Sequence, residues 1–181
     1  MSCPIVIENE AERRKMRVRI AKDVLKALKF KRYYTPARAS YLSPTTDEAV
    51  EFFQDNGSAD AKDNLRHLMP HCKVCALGAM LISLVRLEDN ITLSELRRID
   101  YFQALESAGF SRDQSRLIER TYEGWGSLPE DVDLHFAIKR FYHTYAGNTE
   151  RLRAIMQIIV RNNGDFVMPQ RFFNAPPVCF R

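Results

Sequence analysis

The chain has 181 residues, 45% of them hydrophobic and 28% charged, and a formal net charge of +4. This length suits a single domain with a sizeable core, and the ordinary apolar fraction argues against disorder over most of the chain. A DNA mimic, which must present a strongly acidic surface, does not fit the charge. Nor does a secreted disulfide scaffold, because four cysteines (Cys3, Cys72, Cys75, Cys179) are too sparse for one and read as reduced thiols.

The first residues, MSCPIVIENEAERRK, put acids and then cations where a signal peptide needs an apolar segment, so a cytoplasmic location is expected. Residues 8–32 then read as a basic amphipathic helix. Between Arg13 and Arg32 lie ten Lys or Arg side chains against the single acid Asp23. That local balance of +9 leaves the rest of the chain at −5. At helical pitch Lys15, Arg19, Lys22, Lys26 and Lys29 fall within a sector of about 80°. Met16, Ile20, Val24, Ala27 and Leu28 lie nearly opposite, so the helix docks by one face and presents a row of cations on the other.

Residues 33–44, with Tyr33, Tyr34, Tyr41, Pro36 and Pro44, form an aromatic and proline-rich connection. A helical body is expected over 45–164. Its start signals are Thr45-x-x-Glu48, Thr92-x-x-Glu95, Ser111-x-x-Gln114 and Ser127-x-x-Glu130, which fit the capping box, with Pro129 in a first turn. Gly57, Gly109, Gly124, Gly147 and Gly164 each follow a periodic segment and read as helix stops. Inside the body, PHCKVCALGAMLISLVR (70–86) holds the longest uncharged stretch, apolar on every side. A helix without a polar face is surrounded by protein, so residues 75–86 are predicted to form the buried centre. About a dozen uncharged residues fall well short of the roughly 20 that cross a bilayer.

Further helices follow. Leu96, Ile99, Phe102 and Gln103 begin one, and Leu117, Ile118 and Tyr122 mark another. Leu134, Ile138, Phe141, Tyr142 and Tyr145 give a broad aromatic face, whose tyrosine hydroxyls need partners if buried. Leu152, Ile155, Met156, Ile159 and Asn163 make an apolar stripe that fades at its end. No convincing alternating strand is visible, although Phe166–Met168 could be a short extended piece. Residues 165–181, with Pro169, Pro176 and Pro177, should be an extended strap held by Phe172, Phe173 and Phe180. The expectation is an all-α, single-domain bundle of about six or seven helices, 1–181, around the central helix.

Four stretches, VRIAKDVLKAL (18–28), CKVCALGAMLISLVR (72–86), FSRDQSRLIERTYEG (110–124) and RLRAIMQIIVRNNGDF (151–166), resemble a group of uncharacterised bacteriophage and prophage proteins. That group carries an xCALGA segment, an FSxxQxxLIE helix and a C-terminal IMxxIIxNxGxF, which this chain matches except for Val160 in the last. The resemblance implies a phage-type protein in the cytoplasm of a bacterial host cell and brings no catalytic residues with it. Phage accessory proteins of this size often bind and redirect a host factor.

The chemistry-bearing residues give several competing readings. His67, His71, Cys72 and Cys75 lie within nine positions and are potential zinc ligands. Pro70 interrupts any helix that would align the histidines, and no second ligand pair completes a site, so buried structural thiols are expected instead. Cys75 near a helix start could be a thiolate nucleophile with His135 or His143 as base. Packing around Gly78 is the simpler account of Cys-Ala-Leu-Gly-Ala. Glu119 and Glu123 share a helix face and could hold a metal, but Arg112, Arg116 and Arg120 are closer at hand as solvated partners. Trp125, between two glycines, could touch a ligand or plug the core. A Walker loop, GxGxxG and His-Glu-x-x-His are absent. No cofactor, metal site or catalytic set is therefore expected.

The basic helix is the strongest functional signal, because five like charges in one row repel one another. It predicts a non-enzymatic protein that binds a host protein or complex through Lys15, Arg19, Lys22, Lys26 and Lys29, an inhibitor of a host or defence factor being one form of such a protein. A nucleic-acid binder using the same row, with Tyr33, Tyr34 or Tyr41 stacking on bases, is the alternative. A small cysteine-dependent enzyme centred on Cys75 is a third. Membrane-surface binding is not expected, since no Trp or Phe lies on the apolar face. The sequence leaves the oligomeric state open.

Overall fold

Asn9 starts the first helix: its Oδ1 accepts a hydrogen bond from the Ala11 N–H at 2.9 Å. Glu10 and Glu12 follow in the first turn and complement the helix dipole. Helix α1 then runs without interruption over Glu10–Phe30, a sequence with no glycine or proline to stop it. The structure is a computed structural model that describes residues 9–30, 34–38, 41, 43–47, 72–88, 100–124 and 131–174.

The described residues hold five further α-helices: α2 Ala76–Leu87, α3 Tyr101–Ser107, α4 Arg112–Glu123, α5 Val132–Thr144 and α6 Asn148–Arg161. The chain is an all-α helical bundle. One small sheet accompanies it, with strands β1 Thr35–Pro36, β2 Ser43–Pro44 and β3 Cys72–Val74 in the order β1-β3-β2. β1 runs parallel to β3 (Thr35 opposite Lys73) and β2 antiparallel to it (Ser43 opposite Lys73). These strands were not visible in the sequence, because two or three residues are too few to display an alternation. Phe166–Met168, the expected extended piece, does alternate buried-exposed-buried but joins no strand.

Helix α2 is the centre. All ten residues from Ala76 to Val85 are buried, so the helix without a polar face is enclosed as expected. It packs against α1, α3, α4 and β3. Gly78 makes that enclosure possible: a methyl group there would land on the Tyr41 carbonyl oxygen and lie 2.7 Å from the carbonyl carbon. The backbone at Tyr41 thus crosses the helix at a point where no larger residue fits. Tyr41 also stacks on Tyr101 of α3, centroids 4.7 Å apart.

Several boundaries differ from expectation. Ser111 caps α4, its Oγ accepting from the Gln114 N–H at 3.1 Å, and the Gln114 side chain reaches across to Asp165, its Nε2 donating at 3.0 Å. Helix α5 is capped by Asp131, which accepts from the Leu134 N–H at 3.0 Å. Helix α3 begins after Asp100, which accepts from the Phe102 N–H. Gly124 ends α4 in the left-handed conformation (φ 74°). Gly147 instead precedes α6 as its N-cap, and α5 ends at Thr144. The starts expected at Thr92 and Ser127, the stop at Gly57, and Leu96 and Ile99 lie outside the described residues, as does Glu48 of the box at Thr45. The described part of the strap, 165–174, contains a 3-10 turn at Gln170–Phe172 rather than being wholly extended. Phe172 is buried there, its ring 5.1 Å from Phe141, and Arg140 donates to the Phe172 and Phe173 carbonyls. Pro176, Pro177 and Phe180 are outside the description.

Candidate binding face on the first helix

The inner face of α1 buries Met16, Arg17, Ile20, Ala21, Val24, Ala27 and Leu28 against α2 and α6. On the opposite side Lys15, Arg19, Lys22, Lys26 and Lys29 are all exposed. The five predicted residues are therefore brought together as one row, about 21 Å long at helical rise. Its flanks are unlike each other. On one, Asp23 pairs with Arg86 of α2 at 3.2 Å, and Glu88 stands 4.0 Å from Arg19. On the other, Val18 and Leu25 are half-buried. Lys29 lies over the ring of Phe30, which is itself 50% exposed at the end of the row.

Arg17, although part of the basic run, does not belong to the row. It is 3% exposed, and its guanidinium donates to the Gly164 carbonyl (3.0 Å), the Gly109 carbonyl (2.6 Å), Glu10 (2.8 Å) and Asp165 (2.8 Å). It clamps the first half of α1 to the turn before α4 and to the chain beyond α6. A polar groove of about 460 Å³ opens beside this clamp, lined by Arg13, Glu106, Ser111 and Gln114 among others.

The thiols are placed differently from a reactive site. Cys72 and Cys75 are 1% and 3% exposed, and burial pushes their pKa values up to about 11 and about 12. For Cys75 this holds although the backbone N–H groups of Leu77 and Gly78 favour the anion. His135 and His143 sit on α5, with their rings edge-on to Phe136 and Tyr142. No group of three or more metal-ligating side chains occurs among the described residues, which exclude His67 and His71.

The carboxylates of α4 also have partners that sequence spacing did not indicate. Glu119 accepts a hydrogen bond from the Tyr41 hydroxyl, and Glu123, 8% exposed, pairs with Arg38 at 3.5 Å. Both partners come from the 34–47 connection and not from the arginines of α4. Burial and the Glu119 bond hold the Tyr41 hydroxyl above its ordinary pKa. Tyr142 and Tyr145 accept from Arg38 and Arg171 at 2.9 and 2.8 Å, the partners their hydroxyls require. Trp125 lies outside the described residues.

Arg151 is a second buried arginine. Arg151 is 0% exposed and donates to the carbonyls of Tyr122 (2.9 Å), Tyr145 (3.0 Å) and Ala146 (2.9 Å) and to Asn148 Oδ1 (3.2 Å). It stacks on Tyr142 with its guanidinium carbon 3.7 Å from the ring centre. The carbonyls belong to the ends of α4 and α5, where helix dipoles present negative charge. Both arginines left a trace in the sequence. Arg17 occupies the apolar face at three and four residues before Ile20 and Ala21, and Arg151 precedes Ile155 by four.

No helix among the described residues is long and apolar enough to cross a membrane. Comparison with family models, with curated proteins and with solved structures gives no significant match to this chain.

Proposed function

We propose that this chain is a non-enzymatic, phage-type accessory protein that binds a bacterial host protein or complex in the cytoplasm through the cation row of α1. The observation that carries the reading is the placement of Lys15, Arg19, Lys22, Lys26 and Lys29, all exposed, along the side of α1 opposite its buried face. A row of exposed like charges raises the association rate with an acidic surface and selects against basic ones. The resemblance to phage proteins supports the class of partner.

Two observations favour a protein over nucleic acid. Glu88 and the Asp23–Arg86 pair stand along one flank of the row, so the surface there is of mixed charge, which matches a mixed-charge protein surface better than a phosphate backbone. The tyrosines that would stack on bases are engaged elsewhere: Tyr34 is buried, and Tyr41 is stacked on Tyr101; Tyr33 lies outside the described residues. The enzyme reading loses support from Cys75, whose thiol is enclosed and protonated at neutral pH.

Carbodiimide cross-linking in bacterial lysate tests the proposal, because it joins a lysine to a carboxylate in direct contact. The reading expects Lys15, Lys22, Lys26 or Lys29 joined to Asp or Glu of one host protein. Cross-links from that protein that all fall on other parts of the chain would overturn it. A shift retarded by nucleic acid alone, with steep salt dependence, would hand the row to the nucleic-acid reading.

A further inference from the structure

The cation row is one rim of a wider surface. Arg17, near the start of α1, bonds to the Gly164 carbonyl just beyond the end of α6, and β1, which follows α1, packs on α6. The two helices therefore lie side by side and antiparallel. Their approach is close: a methyl group on Gly164 would stand 2.9 Å from the Arg14 carbonyl oxygen. Half of the α6 residues are buried, and its exposed strip carries Arg153, Gln157 and Arg161 one turn apart, with Glu150 on the same side in the first turn. On α1, Val18 and Leu25 separate the cation row from the side that α6 covers, and both are half-buried. Val160 is half-buried at the edge of the α6 strip and packs on the core.

We infer that α1 and α6 together form a docking groove for an amphipathic, acidic α-helix of the partner, an inference that rests on the proposed function and specifies its mode. The interaxial separation of packed helices, about 8–10 Å, leaves a shallow furrow that a third helix fills by ridge-into-groove packing. Its apolar residues would meet Val18, Leu25 and Val160. Its carboxylates would meet Lys15, Lys22 and Lys29 on one rim and Arg153 and Arg161 on the other. The spacing supports a helix: Lys15, Lys22 and Lys29 recur every seven residues, and Arg153 and Arg161 every eight, which acids at i, i+3, i+4 and i+7 can follow along the furrow. An extended acidic peptide or a nucleic-acid strand matches the charge but does not use the apolar floor.

The probe is a fluorescein-labelled amphipathic peptide of about 18 residues, long enough to span the row, with Glu and Leu on adjoining faces. Its control has the same composition with the Glu positions scrambled around the helix. At near-physiological salt, anisotropy titration should give the patterned peptide at least about a tenfold lower Kd than the scrambled one. Arg153→Glu/Arg161→Glu, with an unchanged circular dichroism spectrum, should weaken it by at least about tenfold. If that variant loses helicity, Arg153→Gln/Arg161→Gln serves with the same direction expected. Equal affinity for the two peptides, or an unaffected arginine variant, overturns the groove. Where cross-links from Lys22 or Lys26 to a host protein persist after such a result, the cation row still binds and only the groove is wrong. Where those cross-links are also missing, both readings fall.

Discussion

Replacing Arg151 by methionine keeps a long apolar side chain but removes every donor that joins α4, α5 and α6. Four hydrogen bonds disappear, to the Tyr122, Tyr145 and Ala146 carbonyls and to Asn148, together with the stack on Tyr142. The four acceptors are not equally exposed. Ala146 is at the surface and Asn148 half-buried, so water replaces much of what they lose, whereas Tyr122 is 0% exposed. An unpaired buried acceptor costs about 1–3 kcal/mol, and removing a buried, hydrogen-bonded charge about 3–5 kcal/mol. Burial also draws the Arg151 pKa below its ordinary value, an adverse term that methionine relieves. The expected net loss is about 3 kcal/mol, a large share of the 5–15 kcal/mol typical of a domain. Arg151→Lys keeps a charge but not the planar fork, and should lose about 2 kcal/mol. Urea titration followed by far-ultraviolet circular dichroism reads both, with a midpoint shift of about 1–2 M for methionine at an ordinary slope. A loss below about 1 kcal/mol for methionine, or a lysine variant as stable as wild type, would refute the view that this guanidinium ties the helix ends together.

Other consequences follow from the core. Gly78→Ala should cost at least about 2 kcal/mol, because the added methyl meets backbone rather than a movable side chain; an unchanged urea midpoint would contradict the crossing of Tyr41 over α2. Cys75 should react with iodoacetamide at pH 7.5 at least about a hundredfold more slowly in the folded protein than in urea, since a shift from 9.0 to about 12 lowers the thiolate fraction about a thousandfold. Labelling at the unfolded rate would reopen the enzyme reading. The same shifts give an alkaline limit. With folded-state values of about 11 and about 12 for Cys72 and Cys75, raised from 9.0, the folded state holds more protons than the unfolded chain above pH 9. Stability is therefore full below pH 9 and falls as pH rises through 12, by about 1.4 kcal/mol per pH unit for each thiol. A stability that is flat from pH 8 to 10.5 would contradict the burial of both.

The parts of the fold legible in the sequence are those whose physical cause is local. An uncharged run identifies a surrounded helix, a hydroxyl three residues before an amide identifies the start at Ser111, and a glycine identifies the left-handed stop at Gly124. The cation row is legible for the same reason, since helical pitch alone puts Lys15 and Lys29 on one side. The two arginine clamps were hidden because their partners are mostly backbone carbonyls, which any sequence supplies. Arg17 was counted with the charges of the basic run, and its position on the apolar face of α1 is what distinguishes it. Asp131 caps α5 alone, with Leu134 where a capping box has Glu or Gln, so its pattern is weaker than that of Ser111. The 33–44 connection was legible as aromatic and proline-rich, but its role required the long-range fit of Tyr41 onto Gly78 and the pairing of Arg38 with Glu123, neither of which has a sequence period.

The central claim is that the row on α1 binds a protein. Its most direct test is capture from bacterial lysate, with and without nuclease, comparing wild type with Lys22→Glu/Lys26→Glu/Lys29→Glu. These side chains are exposed, so the variant should keep its fold and its thermal midpoint. The account predicts a partner retained after nuclease treatment and lost in the variant. Recovery that collapses with nuclease, or a partner that the variant binds as well as wild type does, would contradict it.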